Sequence, residues 1–206
     1  MAISNYQELQ QAVLDWVDDP AVEQIVPTLI ALAEAKFNRE LRTRDMLSRA
    51  NASTTNEFVA LPDDFLEAYL LELDMTGLGP QPPLEFIGPN EAKSLKANKV
   101  TNKVRYFTII DGAFELIPAP QSATTLLLTY YKKIPALASA STNWLLTKSP
   151  DLYLYSVLLE AAPYMKNDVR LQLWAAARQQ VMDAMNIESE RSMRQTTQLA
   201  ARRRGF

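Results

Sequence analysis

Neither cysteine nor histidine occurs in this chain of 206 residues, and glycine occurs only five times. Without cysteine there is no disulfide, no thiolate nucleophile and no sulfur-ligated metal. Without histidine there is no imidazole base, no Ser-His-Asp relay and no ordinary zinc or iron site, which leaves only carboxylate, lysine or tyrosine chemistry. The few glycines form neither a G-x-G-x-x-G nor a Walker pattern, so a backbone phosphate cradle is excluded. No uncharged apolar run reaches the roughly 18 residues that a bilayer-spanning helix needs. Met1-Ala2-Ile3-Ser4-Asn5 lacks the basic-then-apolar order of a signal peptide. The expectation is a non-enzymatic protein with no cofactor and no membrane partner, made in the cytoplasm and kept there unless a larger assembly carries it out.

What the sequence does contain is an ordinary globular composition, 48% hydrophobic and 22% charged. A chain of this length suits one domain, or one with an extension, and buries about 70% of its unfolded surface without staples. The net charge of −3 is too small for the whole fold to act as a polyanion binder, but it is unevenly spread. Residues 188–206 carry Arg191, Arg194, Arg202, Arg203 and Arg204 against Glu188 and Glu190, a local +3 that leaves −6 for the remainder.

Periodicity divides the chain into three zones. Residues 4–45 read as helices. Ser4 and Gln7 fit a capping box, and Tyr6, Leu9, Val13, Trp16 and Val17 recur on one face. Asp19-Pro20 suits a cap and first turn, and from Pro27 the residues Leu29, Ala33, Phe37 and Leu41 repeat every four. Residues 46–135 change to short β-branched and aromatic runs between turn signals: 57–61, 68–73, 84–87, 104–110, 113–117 and 124–134. Asp111-Gly112 is the strongest hairpin signal, since both central turn residues must accept positive φ. A short helix is expected at 90–98, and Gly77, Gly79, Pro80, Pro82 and Pro83 mark a loop. Residues 149–187 return to helix: Ser149-Pro150-Asp151 caps a segment with Leu152, Tyr155, Leu159 and Ala162 on one face. Asp168 then caps another with Leu171, Trp174, Val181 and Met185. The fold class is α+β, with N- and C-terminal helices forming a bundle and a mainly antiparallel β insertion. The expected domain is 1–187, followed by a basic extension at 188–206.

Few residues invite chemistry. Asp18-Asp19 and Asp63-Asp64 pair carboxylates, but both flank prolines at element boundaries, where aspartate commonly caps. Tyr130-Tyr131 followed by Lys132-Lys133 has the residues of a base-stacking platform, yet strand alternation gives each face only one of each. Trp144-Leu145-Leu146 reads as a core plug. Lys93, Lys96, Lys99 and Lys103, with Arg105, form the densest basic patch, and their spacing suits either a solvated face or a DNA-facing one. In residues 188–206 the large apolar side chains are Met193, Leu199 and Phe206, too few to offset the entropy of ordering. This extension is expected to order on a partner, either an acidic protein surface or nucleic acid.

Several stretches together resemble the head-to-tail adaptors of tailed bacteriophages, in the podovirus adaptor and tail tubular protein A group. They are Tyr6-Gln7-Glu8-Leu9, the run from Ile30 to Arg42, Leu61-Pro62-Asp63-Asp64-Phe65-Leu66-Glu67, and the run from Leu128 to Leu137. Asn143-Trp144-Leu145-Leu146, Pro150-Asp151-Leu152-Tyr153-Leu154-Tyr155 and the run from Leu158 to Tyr164 complete the match. These are packing and capping patterns, and their order and spacing over about residues 3–185 carry the resemblance. It implies a virion structural protein of the neck or tail, assembled in the host cytoplasm as a ring of copies, often twelve, beneath the portal protein. It also implies a surface for the tail tube or nozzle protein. Arg191, Arg194, Leu199, Arg202, Arg203, Arg204 and Phe206 would then meet the portal. Lys93, Lys96, Lys99, Lys103 and Arg105 would face the lumen and touch packaged DNA transiently. A DNA-binding or DNA-retaining module using the same cations is the alternative.

Overall fold

Leu29, Ala33 and Phe37 are all buried, and they lie on α3 (Val26–Glu40), which opens with Pro27 in its first turn, where a missing N–H costs no hydrogen bond. Leu41, also buried, closes the helix by donating its N–H to the Phe37 carbonyl at 2.9 Å. A computed structural model describes residues 3–17, 19–74, 81–98, 103–164 and 169–201 of the protein, with backbone only for 20, 21 and 194–201. The chain is α+β and divides into two compact units, Met46–Lys133 and a helical unit built from Met1–Asp45 with Ile134–Phe206.

In the helical unit, α1 (Tyr6–Val17) buries Leu9, Val13 and Val17. Its cap differs from the expected Ser4 and Gln7 pair. Asn5 is the cap, accepting the Glu8 N–H at 2.9 Å, and the Ser4 N–H and hydroxyl both donate to Glu8 Oε2 at 2.7 Å. The register moves by one residue because the Glu8 carboxylate accepts two bonds more strongly than a neutral amide would. A single turn, α2 (Pro20–Glu23), follows, with Asp19 supplying the carbonyl that receives the Val22 N–H.

After the β unit come α5 (Leu137–Ala140), α6 (Trp144–Lys148), α7 (Pro150–Glu160) and α8 (Arg170–Ala201). The centre of this unit is α7, which packs against α1, α3, α6 and α8. Leu152, Tyr153, Leu154, Ser156, Val157 and Leu158 are all buried. Of the face expected from periodicity, only Leu152 is buried; Tyr155, Leu159 and Ala162 are half-buried. A helix packed against four others buries side chains around most of its circumference, so its apolar run encodes no single face. The Asp168 cap lies outside the described residues.

The β unit contains β1 (Leu47–Thr54), β2 (Phe58–Ala60), β3 (Phe65–Asp74), β4 (Glu85–Phe86), α4 (Pro89–Asn98), β5 (Tyr106–Ile110), β6 (Ala113–Ile117) and β7 (Thr124–Lys132). One sheet runs β1-β7-β3 and the other β2-β6-β5-β4, antiparallel except for the short β4–β5 pair. Asp111 and Gly112 have φ of 50° and 70°, the positive values that the β5–β6 hairpin needs. Both sheets feed one core: Leu71, Leu126 and Tyr130 from the first meet Phe107, Phe114 and Leu116 from the second. Phe65 bridges them, edge-on to Phe114 at 5.7 Å and stacked on Tyr130 at 5.8 Å. Strand β1 has no counterpart in the sequence reading. Its Leu-Ser-Arg-Ala-Asn-Ala-Ser-Thr run lacks apolar alternation, and it is held by an unbroken register with β7 from Leu47↔Tyr131 to Thr54↔Thr124. Gly77, Gly79 and Pro80 lie outside the described residues; Pro82 and Pro83 are exposed and in no helix or strand.

Within the helical unit, Glu34 of α3 is buried with no cation paired to it among the described residues. Its Oε1 accepts the Leu137 N–H at 2.8 Å and the Tyr153 hydroxyl at 3.3 Å, while Asn143 Nδ2 donates to the same hydroxyl at 2.7 Å. Burial raises the Glu34 pKa above the ordinary carboxylate value, opposed in part by the two bonds it accepts. A carboxyl raised in the fold contributes stability in full below its unfolded pKa and loses it as pH climbs through the folded value. Glu34→Gln keeps the Oε1 acceptor and removes the charge. Urea titrations from pH 4 to 8 are expected to show the variant gaining on the native protein as pH rises; parallel curves would refute the assignment.

Candidate functional site

The cations singled out in the sequence do not form one surface. On α4, Lys93 is exposed, but Lys96 turns onto the sheet and donates to both Glu57 Oε1 and Glu115 Oε1. Its ammonium lies 5.8 Å from the Phe58 ring centre. Burial disfavours the charge on Lys96, yet the hydrogen bonds it donates to Glu115 and Glu57 outweigh it and raise the lysine pKa. Lys96 is therefore not an outward-facing phosphate contact. Spacing of three correctly placed it one turn from Lys93, but could not reveal two carboxylates arriving from β6 and the turn before β2. Lys99 lies outside the described residues.

Lys103 and Arg105 are exposed and lead into β5. With Pro83, Leu84, Glu85 and Thr124 they line an open cleft of about 530 Å³. Its walls mix a carboxylate with two cations, so it is no simple anion funnel. The aspartate pair Asp63-Asp64 is structural: Asp64 Oδ1 accepts the Tyr130 hydroxyl at 2.7 Å, and its carbonyl accepts the Lys133 N–H at 2.7 Å. Tyr130 and Tyr131 are both buried, Tyr131 edge-on to Tyr69 at 5.8 Å, so neither offers a stacking face. Asp18 lies outside the described residues. No group of acidic side chains among the described residues could hold a metal ion.

The C-terminal segment departs most from expectation. No break occurs at 187, because α8 continues as one helix to Ala201. Its first turn past that point is tied to its own chain. Lys148 Nζ pairs with Glu188 at 3.0 Å and with Asp45 at 2.9 Å, and the Arg44 N–H donates to Ser189 Oγ at 3.1 Å. The hydrogen bond to Asp45, chiefly, raises the Lys148 pKa. An argument from apolar content alone misses this, since lengthening an existing helix avoids the nucleation cost and the local anchors are polar. Residues 188 and 189 therefore need no partner to find their place. Arg191 is exposed beside Ile187. Arg194 and Leu199 lie on the helix backbone with undescribed side chains, and Arg202, Arg203, Arg204 and Phe206 lie outside the described residues.

Lys96→Ala leaves Glu115, whose side chain is only 12% exposed, without its cation. A loss of about 1–3 kcal/mol in unfolding free energy is expected, against less than about 0.5 kcal/mol for Lys93→Ala. Equal effects in chemical denaturation would show that the two lysines share one environment.

No helix among the described residues is long and apolar enough to cross a membrane. No curated protein matches the chain. The SU10 adaptor protein family model matches residues 4–204, which takes in every helix and strand described above. That span, with the adaptor-like order of segments along it, establishes that the chain belongs to the SU10 adaptor protein family, the kind of phage head-to-tail adaptor its sequence resembles.

Proposed function

We propose that the protein is one copy in a ring set beneath the portal, where it receives the tail tube or nozzle protein. The family match supports the adaptor role. The observation that carries the rest is α8, a helix of 32 residues that holds α7 with its first half and presents exposed Ile187 and Arg191 farther along. At about 1.5 Å per residue it extends roughly 48 Å. In this reading the portal contact runs from Arg194 through Leu199, Arg202, Arg203 and Arg204 to Phe206. Basic side chains recurring around a ring give avidity without any strong single contact. The β unit presents its surface to the tail, and Lys93, Lys103 and Arg105 supply transient, non-specific contact with DNA in the lumen. A dedicated DNA-binding module is the weaker reading, because Lys96 is already neutralised by two carboxylates.

The test is the mass of the purified protein alone and after mixing with portal rings. A single-copy mass of 23.2 kDa that becomes a large closed assembly only on mixing is the expected result. Removing 194–206 spares the Glu188 and Ser189 anchors, so the helical signal and melting temperature should hold while joining to the portal is lost. Normal joining by the shortened protein would exclude this segment as the portal contact.

A further inference from the structure

Helix α8 has three faces, not two. At 100° per residue, Trp174, Met182 and Met185 form the buried face toward α7, while Gln172, Gln179, Asp183, Asn186 and Glu190 form an exposed polar one. Between them runs an apolar stripe: Leu173, Ala176, Ala184 and Ile187, with Val169 one turn ahead and Gln180 as the polar interruption. Val169 is 89% exposed, Leu173 68% and Ile187 48%. The C-terminal end of the stripe is a depression whose described lining is Ala184, Ile187, Glu188, Arg191 and Ser192. Isolated exposed leucines need no explanation, but three large side chains aligned over roughly 27 Å of helix form a patch.

A second unpartnered stripe lies on α3, opposite its buried Leu29, Ala33 and Phe37. It consists of Thr28, Ala31, Leu32 and half-buried Ala35, and Leu32 is 48% exposed. Its one large side chain is flanked by small ones, whereas the α8 stripe sets large side chains on either side of small ones. Such surfaces interdigitate as ridge into groove. Within the chain the two helices meet at the ion pair of Arg178 on α8 with Glu40 on α3, which involves neither stripe. Charge selects the direction. Centred on each other and antiparallel, the helices bring exposed Arg191 toward exposed Glu23, just ahead of α3; parallel, they bring Arg191 toward Arg39. Neither Glu23 nor Arg191 forms an ion pair among the described residues, and Glu188, one turn before Arg191, is held by Lys148.

We infer that the α8 stripe of one copy receives the α3 stripe of the next, antiparallel, with Arg191 facing Glu23 across the contact. This rests on the ring reading and names the contact that closes it. Two different patches meeting head to tail propagate around a ring, whereas a patch that pairs with itself stops at two copies. A single helix pair falls short of the roughly 1,200 Å² of a stable interface, so closure on the portal stabilises what one contact does not.

The absence of cysteine makes the test direct. Leu32→Cys and Ala184→Cys, both at exposed positions, are introduced singly and together in the full chain, mixed with portal rings and treated with a short bismaleimide. The double variant is expected to give a ladder of covalent multimers, and each single variant to remain one copy. Dimers from Ala184→Cys alone would mean that the stripe pairs with itself, overturning the proposal. Closed assemblies without a ladder would overturn this contact and leave the ring standing, whereas no closed assembly at all would overturn both. Arg191→Glu should abolish ring formation, and Glu23→Arg should restore it in the same chain. Failure of that rescue, with portal binding by single copies also lost, would assign Arg191 to the portal instead.

Discussion

A buried carboxylate holds the helical unit together. Glu34 takes hydrogen bonds from the backbone at Leu137 and from the hydroxyl of Tyr153, and one turn further along α3 the Asn38 side chain accepts the Ile134 N–H at 2.9 Å. One helix from the first segment thereby fixes both the point where the chain re-enters the unit and the central helix against which everything else packs. The ring of Phe37 meets that of Tyr153 edge-on at 5.0 Å, so apolar and polar contacts converge on the same pair of helices. A buried, uncompensated charge is a costly device, and it is tolerated here because it satisfies two donors that would otherwise be stranded.

Where the sequence spoke clearly, it did so because one local cause dominated. The β5–β6 turn needed two residues with positive φ and had Asp111-Gly112. Helix α3 had a four-residue repeat and a proline at its start. Elsewhere the cause was not local. Strand β1 is a strand because β7 offers eight partners, and nothing in its own small, polar side chains announces that. Helix α7 conceals its packing by being apolar nearly all round. Lys96 looked solvated because its two carboxylates lie distant in sequence, one of them on β6. The turn of α8 at Glu188 and Ser189 looked unsupported because its anchors are one lysine, one serine hydroxyl and a backbone N–H. The adaptor resemblance was legible for the opposite reason, since it rests on the order and spacing of packing and capping patterns spread along the whole chain.

The two units divide the work that an adaptor has to do. The helical unit carries long, regular surfaces, α8 above all. The β unit keeps a main core fed by two sheets and is tied by the Lys96 triad. Of its cations, Lys96 is neutralised from within by Glu57 and Glu115.

The helical unit is discontinuous in sequence, and this has a consequence for its making. During synthesis α1 and α3 leave the ribosome first, with their apolar faces built for α7, yet roughly ninety residues of the β unit must follow before Leu137 and Tyr153 emerge. At about 5–20 residues per second, the nascent N-terminal helices wait several seconds with Leu9, Val13, Ile30 and Phe37 uncovered. The β unit, continuous in the chain, can condense in that interval. The order of folding can thus depart from the order of synthesis, the middle maturing before the beginning.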